Sequence, residues 1–226
     1  MKRSDTYTPP ILTVDNVVLT LVDGALSVLL IKRRNEPFKD HWALPGGYNA
    51  AGETTTQAMS RILHDKAGLN ASSLQLVEQL YTFDTVARDP RGHAVSVTYL
   101  GLGRTVTPQS SKSTQDPQFF PVKHLPPLAY DHADIIAYAL ERLRSKLTYT
   151  NAIFALLPEK FTLTELQSAY EAVLGRPLDK RNFRKKFLSL DLIHETSETV
   201  RHGAHRPARL HTFNSQKLES LSRSFD

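Results

Sequence analysis

The chain has 226 residues, no cysteine and a formal net charge of +5. Without cysteine it has neither a disulfide framework nor a thiolate metal ligand or nucleophile, and no apolar run is long enough to span a bilayer or to act as an export signal. We therefore expect a cytoplasmic protein without a membrane partner, and the basic surplus favours an anionic partner.

The first two thirds of the chain predict strands and helices in turn. The predicted order is strands at 12–22 and 26–31, a helix at 53–67, strands at 74–83, 94–102 and 119–122, and a helix at 131–147. Asp23-Gly24 is a tight-turn signal that joins the first two strands into a hairpin, and Gly68 suits the left-handed end of the first helix. Strands with a helix on each side indicate an α/β (α+β) domain.

The last third of the chain has a different pattern, and we expect a second domain there. Its predicted elements are a short helix closed by Pro158, helices at 162–174 and 180–188, and strand-like runs at 192–196 and 209–213. Thr162 with Glu165 forms a capping-box signal, and Asp179 can cap the next helix. Two helices followed by a two-stranded wing predict a winged helix-turn-helix domain.

Basic residues concentrate in this second domain, because residues 176–211 hold nine Lys and Arg against four Asp and Glu. Phe183 and Phe187 stand at i and i+4 and anchor one helix face, so the cations of the other face can reach DNA. The alternative is that these cations form only a solvated helix surface. The candidate DNA-binding residues are Lys180, Arg181, Asn182, Arg184, Lys185, Arg201, His202 and Arg206.

Residues 47–69 keep the spacing of a pyrophosphate-hydrolysing motif. Their glycines, Glu53 and Arg61 stand at the anchor positions of the Nudix box, which this stretch resembles. Where the box places three helical glutamates, this chain has Ile62, Asp65 and Lys66. Those positions share one helix face, so glutamates there would converge on one magnesium ion.

The replacements change what the motif can do. An apolar side chain and an ammonium remove two negative charges and add a positive one, which disfavours tight magnesium binding. Lys66 can instead contact a diphosphate directly. We therefore expect a domain that binds a nucleotide diphosphate without hydrolysing it, and we assign no catalytic residue and no metal ligand. The alternative is that Ile62 and Lys66 are only packing and surface positions in a drifted enzyme.

Several short stretches carry a further resemblance: Arg33 with Pro37-Phe38, Trp42 with 44–47, and the stretches 88–92, 128–132, 161–163 and 206–208. Together they are similar to the NrtR family of Nudix-related transcriptional regulators, along nearly the whole chain. The resemblance implies a Nudix-type α/β/α sandwich at 1–147 and a winged helix-turn-helix domain at 148–226. It also implies a homodimeric repressor that binds ADP-ribose and a palindromic operator of NAD-metabolism genes, with no required cofactor.

ADP-ribose offers an adenine to stack, riboses to hydrogen-bond and a diphosphate to neutralise. The candidate ligand-binding residues are Arg33, Arg34, Phe38, Trp42, Gly46, Gly47, Glu53, Lys66, Arg88, Arg91 and His132. Arg33 or Arg34 can bind phosphate in a bidentate manner. Glu53 can accept hydrogen bonds from ribose hydroxyls, while Arg61 is expected to hold Glu53 or its loop in place.

Other candidates have more than one interpretation. The rings of Phe38 and Trp42 either stack on a base or belong to the core. Arg88 and Arg91 lie on a polar loop that closes over ligand, contacts a second subunit or is simply surface. His132 either binds ligand or caps its helix.

Two other functions remain open at this stage. One is a working hydrolase of ADP-ribose or another nucleoside diphosphate derivative that uses Glu53 and Asp65, and the other is a sugar-responsive regulator of the same architecture. The sequence does not determine which effector binds (ADP-ribose, NAD or a pentose) or which operator and genes are controlled. It also does not determine whether the effector releases or promotes DNA binding, or whether any hydrolysis remains. The segment 143–154 joins the two predicted domains and is the expected lever between them.

Overall fold

The computed structural model describes residues 8–110, 116–201 and 207–221. Its larger sheet consists of β1 (Ile11–Val22), β2 (Ala25–Lys32), β3 (Trp42–Ala43), β4 (Gly46–Tyr48), β5 (Leu76–Phe83), β6 (Ala94–Leu102) and β7 (Gln118–Pro121). The order is β3-β2-β1-β6-β5, and β4 and β7 pair with β1 and β2 respectively. One edge of β1 is thus shared by β2 and β4, while its other edge pairs in parallel with β6.

Local sequence signals account for the hairpin between β1 and β2. Asp23 and Gly24 have φ angles of 48° and 77°, as a type I′ turn requires. This turn matches the right-handed twist of the two strands, so the predicted hairpin is confirmed.

Two helices cover the two faces of this sheet. On one face α1 (Thr55–Ala67) buries Ala58, Ile62 and Leu63 against Val14 and Val18 of β1. On the other face α2 (His132–Tyr149) packs against the alternate residues of the same strand. The predicted α/β/α sandwich is therefore confirmed.

The helix α1 begins two residues later than predicted. Thr54 is the N-cap and forms a capping box with Gln57, and Gly68 ends the helix with a φ of 64°. The Glu53 side chain instead accepts a hydrogen bond from the Ala50 amide. It therefore belongs to the preceding loop.

The last part of the chain forms the predicted winged helix-turn-helix. A short 3-10 helix (Ala152–Leu156) is followed by α3 (Leu163–Leu174), α4 (Lys180–Leu188), β8 (Ile193–Val200) and β9 (Ala208–Phe213). Thr162 and Glu165 form the capping box of α3, and Asp179 caps α4. Phe183 and Phe187 are buried against Tyr170, which confirms their anchoring role.

The two parts share one apolar core. Leu143 and Leu147 of α2 belong to the same buried cluster as Phe154 and Phe187. The helix α2 itself ends at Tyr149, two residues beyond the predicted end of the first domain. Within the ranges given above, no helix is long and apolar enough to cross a bilayer.

Removing the α3 cap tests this local account. Thr162→Ala eliminates the side-chain acceptor for the Glu165 amide and should lower the free energy of unfolding by about 1 kcal/mol. The measurement is the denaturation midpoint at unchanged m-value. Ser168→Ala, at an exposed position inside the same helix, should change stability by less than about 0.5 kcal/mol. Equal effects of the two substitutions would contradict the capping role.

Candidate functional site

A cleft of about 710 Å³ opens between the box helix α1, the ends of β1, β2 and β4, the start of α2 and the loop between β5 and β6. Six basic residues line it: Arg33, Arg34, Arg61, Lys66, Arg88 and Arg91. The carboxylates that line it are Asp15, Glu36, Asp65 and Asp89. The cleft is therefore cationic in balance, which suits an anionic ligand.

The back wall of the cleft is a buried ion network. Arg88 donates to both carboxylate oxygens of Asp131 at 2.9 and 2.8 Å and lies 3.4 Å from Asp15. Ser96 donates to the same Asp15 at 2.5 Å. Burial opposes the charge on Arg88, but the hydrogen bond to Asp131 and the charges of both carboxylates outweigh it and raise its pKa.

The interpretation of Arg88 as a surface residue is corrected, and its contact with ligand stays a prediction, since Arg88 lines the cleft. Its side chain is 4% exposed, and its hydrogen bonds go to two carboxylates of the protein. Arg88 holds the cleft wall in position through these ion pairs. Breaking a buried ion pair would leave an uncompensated charge.

Gly46 is required by this network. A Cβ at Gly46 would lie 1.9 Å from Asp15 Oδ1, so any side chain would displace that carboxylate. A Cβ at Gly47 would lie 3.3 Å from Ile62. Both glycines line the cleft as predicted, and the close approach of β4 to β1 is the physical reason for the first.

His132 lies at the start of α2 and is buried. Its Nδ1 accepts a hydrogen bond from the Leu44 amide at 2.9 Å, so the neutral ring carries its proton on Nε2, 3.8 Å from Asp15 Oδ1. Burial lowers the pKa of His132, which favours this neutral form. The ring lines the cleft but does not cap its helix.

A layer of cations and aromatic rings forms one side of the cleft. The Arg33 guanidinium lies 4.8 Å from the centroid of the Tyr130 ring, and Arg91 lies 5.9 Å from the same ring. Arg91 also donates to Tyr48 Oη at 2.8 Å and is held by Asp89. The hydrogen bonds that Arg91 donates to the Asp89 carboxylate raise the pKa of Arg91. Arg33 and Arg91 thus line the cleft as predicted, and both also contact side chains of the protein.

Sequence reasoning missed two aromatic residues of the cleft. Tyr48, 53% exposed, and Tyr130 both line it, whereas the two rings chosen from the sequence do not. Trp42 packs on Phe120 with centroids 4.6 Å apart, and Phe38 packs edge-on against Tyr130. The prediction that Phe38 or Trp42 stacks on a ligand base is therefore corrected. The position of Tyr48 directly after the glycine pair was the available signal.

Glu53 and Arg61 bind each other. Arg61 donates to both carboxylate oxygens of Glu53, at 3.0 and 2.5 Å, and to the Tyr48 carbonyl oxygen. The role predicted for Arg61 is confirmed. Glu53 does not line the cleft, and its carboxylate accepts from Arg61 and from the Ala50 amide. Its contact with a ribose hydroxyl stays a prediction.

The box helix presents a donor set that does not fit a divalent cation. Ile62 is 1% exposed and packs with Val14 and Met59. Asp65 lies 3.9 Å from Arg61, and Lys66 lines the cleft one residue further on. Oxygen ligands are what magnesium requires, and the three box positions provide one carboxylate beside an ammonium. Lys66 makes no hydrogen bond or ion pair with the described residues.

The remaining ligand candidate, Arg34, also lines the cleft and lies 3.9 Å from Asp116. It is half-exposed, so it can turn toward a bound anion.

A second candidate surface is the basic face of α4. Lys180, Arg181, Asn182 and Lys185 are exposed there, and Arg201 is exposed at the end of β8. Arg184 differs from the prediction, because it is half-buried and its Nη2 donates to Thr164 Oγ1 at 3.1 Å. It fixes α4 to the start of α3. His202 and Arg206 lie outside the described residues.

Comparisons with known proteins agree with both parts of the fold. Residues 12–141 match the family model for the NUDIX domain, and residues 153–213 match that for the NrtR DNA-binding winged helix domain. Over 223 residues the chain is 34% identical to the ADPR responsive transcriptional repressor NtrR of Acinetobacter baylyi, covering 96% of this chain and 87% of the relative. The chain belongs to the NrtR family.

Solved structures of NrtR show the same architecture. Shewanella oneidensis NrtR complexed with a 27mer DNA is 36% identical, with a TM-score of 0.77 over 90% of this chain and 93% of that one. The NUDIX domain of the same NrtR complexed with ADP ribose is 35% identical, with a TM-score of 0.57 over 63% of this chain and 94% of that one. The family and the two-domain fold expected from the sequence are thus confirmed.

The Glu53 carboxylate provides a test of the box geometry. Hydrogen bonds from Arg61 and from the Ala50 amide lower the pKa of Glu53 from 4.5 to about 2. Because the folded-state pKa is depressed, the contribution of this pair to stability is complete above pH 4.5 and is lost as the pH falls toward 2. Arg61→Met should move the pKa back toward 4.5 in an NMR titration of the carboxyl carbon. The matched control Arg34→Met should leave it low, and a low pKa in both variants would contradict the assignment.

Proposed function

We propose that this protein is a repressor whose Nudix domain binds ADP-ribose and whose winged helix binds operator DNA. The observation that carries the proposal is the cationic cleft in which a buried Ile62 and the cleft-lining Lys66 replace the donors of a magnesium site. Such a cleft can hold a diphosphate by direct cationic contacts. The likeness to an ADPR responsive repressor along 96% of the chain supports the same reading.

The diphosphate and the adenine of ADP-ribose each have a counterpart in the cleft. The diphosphate would lie near Lys66, with Arg33 and Arg34 lining the same cleft. The adenine would stack on Tyr48, which is 53% exposed. The Tyr48 ring lies 5.6 Å from the Arg91 guanidinium, whereas the Tyr130 ring lies closer to its cation, 4.8 Å from Arg33. The buried network around Arg88 would hold the wall against which the ligand rests.

Hydrolysis is the principal alternative for this cleft. A hydrolase would have to assemble a metal site from Asp65 and groups outside the box positions, since Ile62 is buried and Glu53 is bound by Arg61. We propose that the cleft holds its ligand intact and requires no metal. A sugar-responsive regulator is less well supported, because a pentose carries no charge to use the six basic residues.

Lys66 offers a direct test. Lys66→Met should weaken ADP-ribose binding about tenfold in calorimetry, because a hydrogen bond between charged groups contributes roughly 1.5–3 kcal/mol. Lys123→Met, at an exposed position away from the cleft, should bind as the wild type does. Magnesium should change neither affinity, and no AMP should appear over hours. Magnesium-dependent release of AMP from ADP-ribose would instead establish the hydrolase.

The winged helix would place α4 in the major groove of duplex DNA. Lys180, Arg181 and Lys185 present exposed cations on this helix, and phosphate contacts of this kind dominate affinity. We further propose a homodimer, because two symmetry-related recognition helices would read the two halves of a palindrome about one helical turn apart. Arg184 would position α4 through Thr164.

Charge removal from α4 tests the DNA interface. Arg181→Ala and Lys185→Ala should each weaken binding to a palindrome from upstream of the protein's own operon and reduce the salt slope by about 1. The measurement is fluorescence anisotropy at several salt concentrations. Lys39→Ala, an exposed charge of the Nudix domain, should leave both quantities unchanged. Wild-type affinity in both α4 variants would remove this helix from the interface.

We propose that α2 couples the two sites. Its first turn contains His132 in the cleft, and near its other end Arg144 donates to the Val173 carbonyl oxygen of α3. The predicted lever at 143–154 corresponds to the end of this helix and the following 3-10 helix. Effector and DNA must then change each other's affinity by the same factor, and equal DNA affinity with and without ADP-ribose would refute the coupling.

A further inference from the structure

A second concave surface lies where α2 meets the helix-turn-helix. It is a groove of about 260 Å³ that shares no lining residue with the Nudix cleft. Its apolar lining comes from Leu147 of α2, Leu174 of α3, Phe183 of α4 and Leu178 of the turn between α3 and α4. The ADP-ribose and DNA contacts proposed above use none of these four apolar side chains.

The edge of this groove is cationic. Arg144, Arg176 and Lys186 all line it. Arg144 Nε donates to the Val173 carbonyl oxygen at 2.9 Å, which fixes the guanidinium beside Gly175. Among the described residues, no further acceptor binds Arg144 and none binds Arg176.

Asp179 is the one carboxylate among the described lining residues, and it forms no ion pair with Arg144 or Arg176. Asp179 Oδ1 accepts the Asn182 amide at 2.8 Å as the cap of α4. Two guanidinium groups with unused donors thus stand over an apolar floor. Guanidinium groups match carboxylate and phosphate oxygens in a planar, bidentate manner.

We propose that this groove is a second ligand site, for a small organic anion that carries a phosphate or carboxylate on an apolar body. At about 260 Å³ the groove lies below the usual range for drug-sized ligands, so it suits a ligand of about one substituted ring. The anionic group binds Arg144 and Arg176, and the ring lies on Leu147, Leu178 and Phe183.

A phosphate of DNA is the other source of an anion, and the structure disfavours it. The exposed cations Arg181 and Lys185 stand one turn apart on α4, whereas Asn182 and Lys186 form the neighbouring row toward the groove. A sugar-phosphate chain also leaves the apolar floor unused. Because the small anion touches α2 and α4 together, its binding is sensed by both domains.

The probe for this site is phenyl phosphate, titrated into the full-length protein with and without saturating ADP-ribose. Amide shifts should map to residues 144–148 and 174–186 in both conditions. Inorganic phosphate and benzyl alcohol, which each carry half of the recognised chemistry, should bind at least tenfold more weakly. Shifts confined to the Nudix cleft, or to Arg181 and Lys185, would overturn the proposal. Inorganic phosphate that binds as tightly as phenyl phosphate would overturn it too.

Matched variants complete the test. Arg144→Met with Arg176→Met should weaken phenyl phosphate binding at least tenfold. Arg176→Met alone, which breaks no hydrogen bond or ion pair among the described residues, should weaken it at least threefold. Arg142→Met removes a cation from the same helix outside the groove and should change the affinity less than twofold. Wild-type affinity in Arg176→Met would overturn the assignment. ADP-ribose affinity should stay unchanged in Arg176→Met and Arg142→Met, which leave the coupling contact of Arg144 intact, so the result is separable from that of the Nudix cleft.

Discussion

The ion network around Arg88 joins three distant segments of the Nudix domain in one buried contact. Asp15 comes from β1, Arg88 from the loop between β5 and β6, and Asp131 from the residue before α2. Because all three side chains are largely removed from water, both carboxylates depend on Arg88 for compensation and Arg88 depends on them. The same network demands a glycine at 46 and fixes where α2 begins, and with it the back wall of the cleft.

In front of this wall, the chemistry of the cleft depends on residues that the fold itself does not require. The box helix keeps its cap, its left-handed end and its apolar face, and Ile62 strengthens that face by packing with Val14 and Met59. A glutamate at 62 would present a carboxylate on this side of the helix, where the chain instead gains buried apolar surface. Packing and metal binding compete for this position, and Lys66 supplies a positive charge without a metal.

Helix α2 explains how a ligand in one domain can affect the other. One side of it completes the core of the sandwich, and Leu143 and Leu147 extend that core to Phe154 and the winged helix. A close-packed core transmits strain, and under the coupling proposed above the start of α2 at the cleft and its end at α3 would respond together. The groove beside Arg144 lies at the second end of the same helix.

The sequence by itself determined the elements whose cause is local. The Asp23-Gly24 turn, the caps at Thr162 and Asp179, and the left-handed Gly68 depend on residues within a few positions of one another. Only the tertiary structure decided that Arg88 is buried, that Tyr48 and not Phe38 or Trp42 lines the cleft, and that Arg184 is held by Thr164. The partners of Arg88 are 43 and 73 residues away, and that of Arg184 is 20 residues away. Such contacts depend on strand order and helix packing, which the periodicity of the sequence does not specify.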